Sequence, residues 1–379
     1  MYKSKGRREL EEIVKNQFKY VIGSGSFSTV LRVSENKVAR NSSSEFDTNE
    51  CNVMRELIRL SNRMKRRRVV TRPEEGKLIN IRHMELFAQT PEALSAKEEF
   101  TLEELFTPRE MEKFGIETFH NVFIQVGSVE DGFEYHELVP DNYSDNVVKI
   151  YSSYQKYQLL EYIFCSLSAK NFTVDLTDFV ENNNKAQRLQ RVQTDNYFQQ
   201  LYNGIEWLHE NKIFHRDIST NNVVISGDLR KNTTLKIIDF NLSIVVPNWK
   251  EKLKFLNSGK FRHPGTVGTK EFKSLGVHNF KSYFDKVIDK EKYDEFLGYL
   301  SASDFWSATV LCYMLENVDS PWETSNKESV EAFIGENQNN KFAETFKDFS
   351  DDNYENLKQL SEEKVRSIFK RIFVLPEIS

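Results

Sequence analysis

The sequence is poor in cysteine, and no cysteine pair has the spacing of a metal site. Its three cysteines are Cys51, Cys165 and Cys312, and they are far apart. The absence of a C-x-x-C pair excludes a zinc ribbon, and scattered single cysteines argue against a disulfide framework. We therefore expect the protein to work in a reducing compartment.

Long apolar runs are missing as well. A membrane-spanning helix needs roughly 20 predominantly apolar residues, and no stretch of this chain has them. The first residues, Met1 to Lys5, carry no apolar signal region. These features predict an intracellular protein, cytoplasmic or nuclear, that does not bind membranes.

The chain also lacks an excess of positive charge. Its net charge is −5 and its pI is about 5.9, so bulk attraction to nucleic acid is not expected. With 379 residues, of which 39% are hydrophobic and 29% charged, the composition is that of a globular protein large enough for about two domains or lobes.

Two short polar runs stand out against this background. The first extends from His215 to Asn222, and the second, beginning at Asp239, follows the apolar run 235–238, which predicts a buried strand. Together they supply Asp217, Asn222 and Asp239. Phosphoryl transfer assisted by Mg²⁺ uses such oxygen-bearing side chains, one to orient a hydroxyl group and two to hold the metal.

In this order and at this spacing, the runs H-R-D-I-S-T-N-N and D-F-N resemble the catalytic loop and the metal-binding motif of eukaryotic-type protein kinases. The resemblance implies that Asp217 accepts the proton of the substrate hydroxyl. It implies that Asn222 binds Mg²⁺ and braces the loop, and that Asp239 bridges Mg²⁺ to the β- and γ-phosphates of ATP. Arg216 would pair with a phosphorylated residue of the following loop, for example Ser258 or Thr266.

The resemblance also implies an α+β, bilobal fold. A small antiparallel β lobe with helix C would occupy 18–163 and a larger helical lobe 164–379, after a lead-in at 1–17. The small lobe would contain an insertion at 63–145, which we expect to hold a regulatory partner.

Residues near the start of the small lobe resemble the glycine-rich loop of kinases, although an isolated G-x-G could equally be a hairpin turn. The resemblance assigns nucleotide binding to this loop, to the next strand, to helix C and to the hinge. The residues concerned are Gly23, Ser24, Gly25, Ser26, Val30, Ala39, Arg40, Asn41, Glu56, Leu160, Glu161 and Ile163.

The strand that usually carries the phosphate-binding lysine departs from the kinase pattern. Aligned on Val38-Ala39, the lysine position is Asn41; shifted by one residue, it is Arg40. The two side chains would lie on opposite faces of a strand. Ser28, at the third glycine position, does not supply a substitute lysine. Both alignments stay open at this point.

The apolar spacing of Val53, Leu57, Leu60 and Met64 predicts a helix over 45–64, similar to helix C. Glu56 would be its ion-pairing residue; the alternative is a solvated surface glutamate. In the insertion, the basic run 65–68 is interpreted as a helix end or, alternatively, as a nuclear signal or a site for an acidic partner. Acidic helices are predicted near 91–94 and 101–105, and a strand at 122–126.

In the large lobe, we predict a helix opening at Asp175, an apolar helix from Tyr197 to His209, and a helix over 303–315. A second insertion is predicted at 278–300, and helices in the tail. By resemblance, Asp304 would fix the backbone of the catalytic loop.

The segment 268–277 resembles the end of a kinase activation segment, in which Thr269 would hydrogen-bond near Asp217. Gly265-Thr266 offers a second alignment. The usual A-P-E triplet is replaced by Ser274-Leu275-Gly276, so its glutamate and the ion pair that it makes are lost. Asn241 replaces the glycine of D-F-G, where asparagine would tolerate a positive φ.

The resemblance predicts a kinase that uses ATP and Mg²⁺ or Mn²⁺ to phosphorylate serine or threonine in protein substrates. Ser219 stands where such enzymes usually have a lysine that contacts the γ-phosphate. The alternative is therefore a pseudokinase that binds nucleotide or partners without turnover. A small-molecule kinase is a third hypothesis.

Overall fold

A computed structural model of the chain describes part of the sequence. The described residues are 21–24, 28–32, 37–42, 48–61, 63–69, 77–80, 99–101, 122–129, 132–140, 143–154, 157–161, 165–168, 170–172, 174–175, 191–228, 233–246, 267–276, 289–317, 319–351 and 361–372. The chain divides into two compact units, one made of 1–45, 54–143 and 149–162 and the other of 46–53, 144–148 and 163–379.

The described strands, numbered along the chain, are β1 (Val21–Ser24), β2 (Ser28–Arg32), β3 (Lys37–Ser42), β4 (Arg63–Val69), β5 (Lys77–Asn80), β6 (Glu99–Thr101), β7 (Val122–Val129), β8 (Gly132–Pro140), β9 (Ile150–Tyr154), β10 (Tyr157–Glu161), β11 (Cys165–Ser168), β12 (Lys170–Phe172), β13 (Val174–Asp175), β14 (Ile213–Phe214), β15 (Val223–Asp228), β16 (Thr233–Ile237) and β17 (Ile244–Val245). The described helices are α1 (Thr48–Ser61), α2 (Arg191–Glu210), α3 (Lys290–Asn317), α4 (Lys327–Glu336), α5 (Lys341–Asp351) and α6 (Glu362–Lys370).

The first unit contains a five-stranded sheet in the order β1-β2-β3-β10-β9. All four neighbouring pairs are antiparallel, as the sequence predicts for the small lobe. At its centre, Arg40 of β3 lies opposite Val30 of β2 and Gln158 of β10.

Helix α1 is shorter than predicted. The predicted stripe is buried at Val53, Leu57 and Leu60, but Met64 belongs to β4 and pairs with Phe100 and Pro140. The helix ends at Ser61, whose Oγ donates to the carbonyl oxygen of Ile58 at 2.9 Å. The predicted start, at 45–47, lies outside the described residues.

The region 63–145 contains a second five-stranded sheet, in the order β5-β7-β8-β4-β6. The interpretation of the basic run as a helix end is wrong, because Lys65 to Arg68 lie within β4. Strand pairing explains the difference: Lys65 lies opposite Glu99 of β6, and Arg67 lies opposite Glu137 of β8.

Other predictions for this region have mixed outcomes. The predicted strand at 122–126 is present as part of β7. The acidic segments 91–94 and 102–105 lie outside the described residues, whereas Thr101 ends β6. Asp175, predicted to open a helix, ends β13 instead, and 176–190 are outside the described residues.

The second unit is built around the long helix α3. The predicted helix over 303–315 is part of α3, which begins at Lys290, within the stretch predicted as an insertion. The first turns of α3 belong to the core, since Phe296, Tyr299 and Leu300 are buried. Residues 278–288 lie outside the described residues.

Strands of the second unit hold the catalytic loop. The four-stranded path β12-β11-β15-β13 carries β16 as an antiparallel partner of β15, and β14 pairs with β17. Among the described residues, no helix combines the length and apolar character required to cross a membrane.

Aromatic rings fill the space between α2, α3 and α6. Phe369 of α6 is fully buried, with its ring 4.9 Å from that of Phe305 and 6.2 Å from that of Tyr202. These contacts pack the C-terminal helix against the helix that supports the catalytic loop.

We predict that Phe369→Ala lowers the free energy of unfolding by about 3–5 kcal/mol, the usual cost of truncating a buried phenylalanine. Denaturant unfolding would measure it. Lys327→Ala is the control, because the Lys327 side chain is 76% exposed, and it should change stability by less than about 0.5 kcal/mol. Equal effects of the two substitutions would contradict this assignment of the core.

Candidate active site

The catalytic loop runs between two short strands of the second unit. It leaves β14 after Phe214, passes through Arg216 with a left-handed backbone (φ 67°), and ends in a 3₁₀ turn at Thr220–Asn222 before β15. The turn closes with a hydrogen bond from the Asn222 amide to the Ser219 carbonyl oxygen. Fixed strands on both sides therefore hold the loop.

The carboxylate of Asp217 is held by three donors. Its Oδ1 accepts hydrogen bonds from the amide nitrogen and Oγ1 of Thr269, at 2.8 and 2.9 Å. Its Oδ2 accepts one from Nδ2 of Asn222, at 2.8 Å. The structure thus brings together three of the predicted catalytic residues around one carboxylate.

Thr269 reaches Asp217 through a glycine. Gly268 has φ +104°, and a Cβ at this position would lie 3.0 Å from the carbonyl oxygen of Arg216. A side chain at 268 would therefore be strained and crowded. These contacts favour the alignment on Gly268-Thr269 over that on Gly265-Thr266.

Asn222 both braces the loop and presents an oxygen ligand. Its Nδ2 also donates to the carbonyl oxygen of Asp217, at 2.9 Å. Both bonds use the amide nitrogen, so the amide oxygen is the atom that can face a cation. Magnesium prefers such oxygen ligands, which fits the predicted role.

Strand pairing brings Asp239 close to Asn222 along the backbone. Val223 lies opposite Ile237 in the β15–β16 pair, and the amide of Ile238 donates to the carbonyl oxygen of Asn222 at 2.9 Å. Asp239 follows directly. Carboxylate and amide oxygens are ligand types that suit Mg²⁺ and Mn²⁺, and the predicted metal role of Asn222 and Asp239 stays a prediction.

The backbone of the D-F-N motif differs from the prediction in one respect. The positive φ, 61°, is found at Asp239, and Asn241 is not among the residues with positive φ. The Asn241 amide lies 3.4 Å from Oδ1 of Asp239. In this structure asparagine is therefore not required at 241 to adopt a left-handed backbone.

His215 connects the two motifs. Its Nδ1 accepts from the amide of Asp217 at 3.3 Å, so Nε2 carries the proton and donates to the carbonyl oxygen of Ile238 at 2.9 Å. Its ring also lies 5.1 Å from that of Phe240. One side chain thus sets the position of both runs.

Asp304 of α3 binds the backbone of the loop, as the resemblance implies. Its Oδ1 accepts from the amide of Arg216 at 2.6 Å, and its Oδ2 accepts from the amide of His215 and from Nε2 of His209, both at 2.9 Å. The carboxylate is fully buried. Burial alone would raise its pKa, but the hydrogen bond from His209 and the electrostatic attraction to it, with the backbone bond from Arg216, lower the pKa of Asp304 below its ordinary value.

Arg216 is buried beside this carboxylate. Burial lowers its pKa to about 10, opposed by Tyr299 and Asp304, so the side chain still carries its charge at neutral pH. Its Nη1 lies 3.5 Å from the carbonyl oxygen of Leu242. The phosphorylation candidates Ser258 and Thr266 lie outside the described residues, so their pairing with Arg216 stays a prediction.

Ser219 brings no charge to the loop. Its side chain is buried, and in the described part of the chain its Oγ has no hydrogen-bond partner. The lysine that kinases usually carry at this position is replaced here by a small neutral group.

Of the predicted nucleotide-binding residues, those that the structure describes lie on β1, β2, β3 and β10, apart from Glu56 on α1. Gly25, Ser26 and Ile163 are outside the described residues, while Gly23 and Ser24 lie in β1 and Glu161 ends β10. Glu56 accepts two hydrogen bonds from Arg59, at 2.6 and 3.0 Å. Its predicted ion pair with a strand cation stays a prediction.

The sheet register separates residues that the resemblance groups together. Val30 lies opposite Arg40, and Leu160 lies opposite Val38, two residues before Arg40. Directly opposite positions share a face, and faces alternate along a strand. Val30, Arg40 and Leu160 therefore share one face, whereas Ala39 and Asn41 lie on the other.

Sequence reasoning missed several supports of the loop. His209 bonds to Asp304 and lies 3.1 Å from Ser301 through Nδ1, and Oγ of Ser243 donates to the carbonyl oxygen of His215 at 3.1 Å. The one signal was a histidine at the end of an apolar helix. A lone histidine or serine has no distinctive spacing, so only the fold reveals these contacts.

Comparison with known proteins agrees with the geometry. A family model described as the protein kinase domain matches residues 134–278. CBL-interacting serine/threonine-protein kinase 17 of Arabidopsis thaliana is 28% identical over 152 residues, which are 40% of this chain and 28% of that protein. CBL-interacting protein kinase 32 of Oryza sativa subsp. japonica is 26% identical over 185 residues, 48% of this chain and 34% of that protein.

Smooth muscle myosin light chain kinase of Gallus gallus is also similar, with 25% identity over 178 residues, 46% of this chain and 7% of that protein. The matched region thus spans about a third or less of the length of each curated relative. Within that region, these matches confirm the resemblance to eukaryotic-type protein kinases.

We predict that Asp304→Asn destabilises the protein by about 3 kcal/mol, because three donors lose a buried carboxylate. Chemical denaturation at pH 7 would measure the loss. Since the folded pKa of Asp304 lies below its ordinary value of 3.8, its contribution is complete above that pH. The contribution disappears as the pH falls through the lowered folded value.

The stability difference between wild type and Asp304→Asn should therefore shrink below about pH 4. Asp319→Asn, at an exposed position, is the matched control and should change little. A difference that stays constant down to about pH 2 would contradict the proposed charge-dependent anchor.

Proposed function

We propose that this protein is an ATP-dependent protein kinase that transfers the γ-phosphoryl group to serine or threonine hydroxyls of protein substrates. The observation that carries the proposal is the Asp217 carboxylate, held by Thr269 and Asn222 at 2.8–2.9 Å. The matched kinase domain supports the same class of reaction.

In the proposed reaction, the acceptor hydroxyl oxygen forms a bond to the γ-phosphorus, and the bond from that phosphorus to the β,γ-bridging oxygen breaks, releasing ADP. Asp217 orients the hydroxyl and accepts its proton. Its three donors fix the direction of the carboxylate oxygens in advance, and such positioning is a main source of rate in this chemistry.

Asn222 and Asp239 would hold Mg²⁺ or Mn²⁺ through their side-chain oxygens. A bound divalent ion neutralises charge on the phosphate oxygens during transfer. The bond from Ile238 to Asn222 supports this assignment, because it fixes the spacing of the two ligand-bearing loops.

Arg40 is our choice for the phosphate-binding cation of β3. The register places Arg40 on the same face as Val30 and Leu160, two other predicted nucleotide contacts, and places Asn41 on the opposite face. Of the two candidates for the lysine position, Arg40 and Asn41, only Arg40 carries a charge. The predicted ion pair of this cation with Glu56 remains part of the proposal.

A pseudokinase is the alternative, and Ser219 favours it. A buried neutral hydroxyl replaces a cation, and one charged hydrogen bond to phosphate is worth about 1.5–3 kcal/mol. The intact set of Asp217, Asn222 and Asp239 favours catalysis.

We also propose that the sheet in 63–145, with its basic strand β4, binds a regulatory protein. Two of the plant relatives are named for interacting with a partner called CBL.

Transfer of label from γ-labelled ATP to generic protein acceptors, with Mg²⁺ or Mn²⁺, tests the proposal. We expect Asp217→Asn to lower the rate at least about 100-fold, the typical contribution of a general base, and to leave ATP affinity nearly unchanged. Asp239→Ala should abolish transfer, whereas Asp319→Asn should match the wild type. Wild-type transfer no greater than that of Asp239→Ala would establish the pseudokinase.

The role of β3 is tested separately by Arg40→Gln and Asn41→Ala. Loss of one charged phosphate contact should lower kcat/KM for ATP roughly ten- to a hundredfold in Arg40→Gln. Asn41→Ala should stay within about threefold of the wild type, a change of less than 1 kcal/mol. The reverse ranking, with thermal stability equal in both variants, would assign the lysine position to Asn41.

A further inference from the structure

The segment after Thr269 lies along α3 with a regular pattern of burial. A 3₁₀ turn at Lys270–Phe272 leads into extended backbone at Lys273 (φ −65°, ψ 133°). From there, buried and partly exposed residues alternate. Phe272, Ser274 and Gly276 are buried, and the residues between them are partly exposed. Leu275 and Gly276 return to a 3₁₀ conformation. The side of the segment that carries the buried residues therefore faces the protein.

Three hydrogen bonds link that side to α3. Ser307 donates through Oγ to the carbonyl oxygen of Phe272 at 2.7 Å. Ser274 donates to Oγ of Ser303 at 3.2 Å. Tyr299 donates through its hydroxyl to the carbonyl oxygen of Gly276 at 2.6 Å.

The spacing of these bonds explains why they form together. The residues on α3 are four apart, so they share one face and follow each other at about 6.0 Å. The residues on the segment, 272, 274 and 276, are two apart, and the residues between them are partly exposed. Every second residue of the segment therefore meets every fourth residue of the helix over three contacts.

The segment continues directly into the site. At its start, Thr269 donates twice to Asp217. At its end stands Gly276, which has no side chain to form the ion pair that kinases resembling this chain make from the A-P-E triplet. Tyr299 binds the main-chain oxygen of Gly276 instead, and this bond does not depend on the side chain at 276.

We propose that Tyr299 is a positioning residue that replaces the missing ion pair: its hydroxyl anchors the end of the segment and so keeps Thr269 on Asp217. The side chain of Tyr299 is 1% exposed, so its bond is shielded from water. Asp304, five residues further along α3, fixes the catalytic loop. Helix α3 therefore positions Asp217 in two ways: through the catalytic loop, which Asp304 fixes, and through the segment that begins at Thr269, which Tyr299 anchors.

Further contacts limit the freedom of the segment near its start. Trp322 donates through Nε1 to the carbonyl oxygen of Glu271 at 2.7 Å, and the amide of Ser325 lies 3.3 Å from the carbonyl oxygen of Lys270. Removing the Tyr299 hydroxyl should therefore loosen the end of the segment first, with the turn at 270–272 less affected.

Amide hydrogen exchange tests the anchor without any enzyme assay. In Tyr299→Phe, exchange of backbone amides in 273–276 should rise roughly two- to tenfold, as expected for the loss of one hydrogen bond. Protection of α2 should be unchanged. Tyr293→Phe is the matched control, because Tyr293 is buried on the same helix. Removing the Tyr293 hydroxyl should leave amide exchange at 273–276 as in the wild type.

The kinetic consequence rests on the proposed function. In Tyr299→Phe we expect kcat to fall two- to tenfold, because Asp217 is oriented in a smaller fraction of molecules, while KM for ATP changes by less than about twofold. Tyr293→Phe should retain the wild-type kcat at equal thermal stability. A lower kcat with an unchanged KM, found only in Tyr299→Phe, distinguishes a positioning role from a general loss of folded protein.

Unchanged exchange at 273–276 in Tyr299→Phe would overturn the proposal, as would an equal rise in both variants. Raised exchange with an unchanged kcat in an active enzyme would overturn the link from the segment to Asp217. Absence of transfer in the wild type would count against the proposed kinase activity alone, since the exchange result stands independently.

Discussion

The buried carboxylate of Asp304 is the interaction on which the active-site geometry depends. It accepts hydrogen bonds from two consecutive amides of the catalytic loop and from His209. The amide of Arg216 points at it because that residue has a left-handed backbone, with φ 67°. A non-glycine residue adopts this conformation only where its surroundings compensate the strain. Here a buried charge supplies the compensation, and it keeps Asp217, the next residue, in a fixed direction.

Helix α3, which carries Asp304, also holds other parts of the site in position. Besides Asp304, its face at Tyr299, Ser303 and Ser307 carries the segment that ends at Gly276. The helix itself is held by a buried aromatic core, in which Trp306 lies 5.1 Å from Phe346 and Phe305 lies 4.9 Å from Phe369. Hydrogen bonds set the direction of the catalytic groups, and the apolar packing of α3 makes those bonds rigid.

The departures from the kinase pattern fall into two kinds. Replacing A-P-E by Ser274-Leu275-Gly276 removes the side chain that makes an ion pair in kinases, but α3 binds main-chain oxygens of the segment through hydroxyl groups. Replacing the loop lysine by Ser219 removes a charge, and no described residue supplies another cation in the loop besides Arg216, which is buried beside Asp304. The first kind is compensated within the structure. The second kind concerns the binding of phosphate groups, for which we propose Arg40 of β3.

The sequence by itself predicted the resemblance to protein kinases, an antiparallel β lobe and the residues that meet at Asp217, because local motifs with fixed spacing carry them. It also predicted the role of Asp304. It did not predict the strand at 63–69, the early start of α3 or the face occupied by Arg40. Those features depend on which distant strands and helices pair: β4 pairs with β6 and β8, which lie far away in the chain. The sequence therefore predicted the residues of the candidate active site, because short motifs contain them. Only the tertiary structure determined the register of the strands and the contacts that support the catalytic loop, since both arise from long-range contacts.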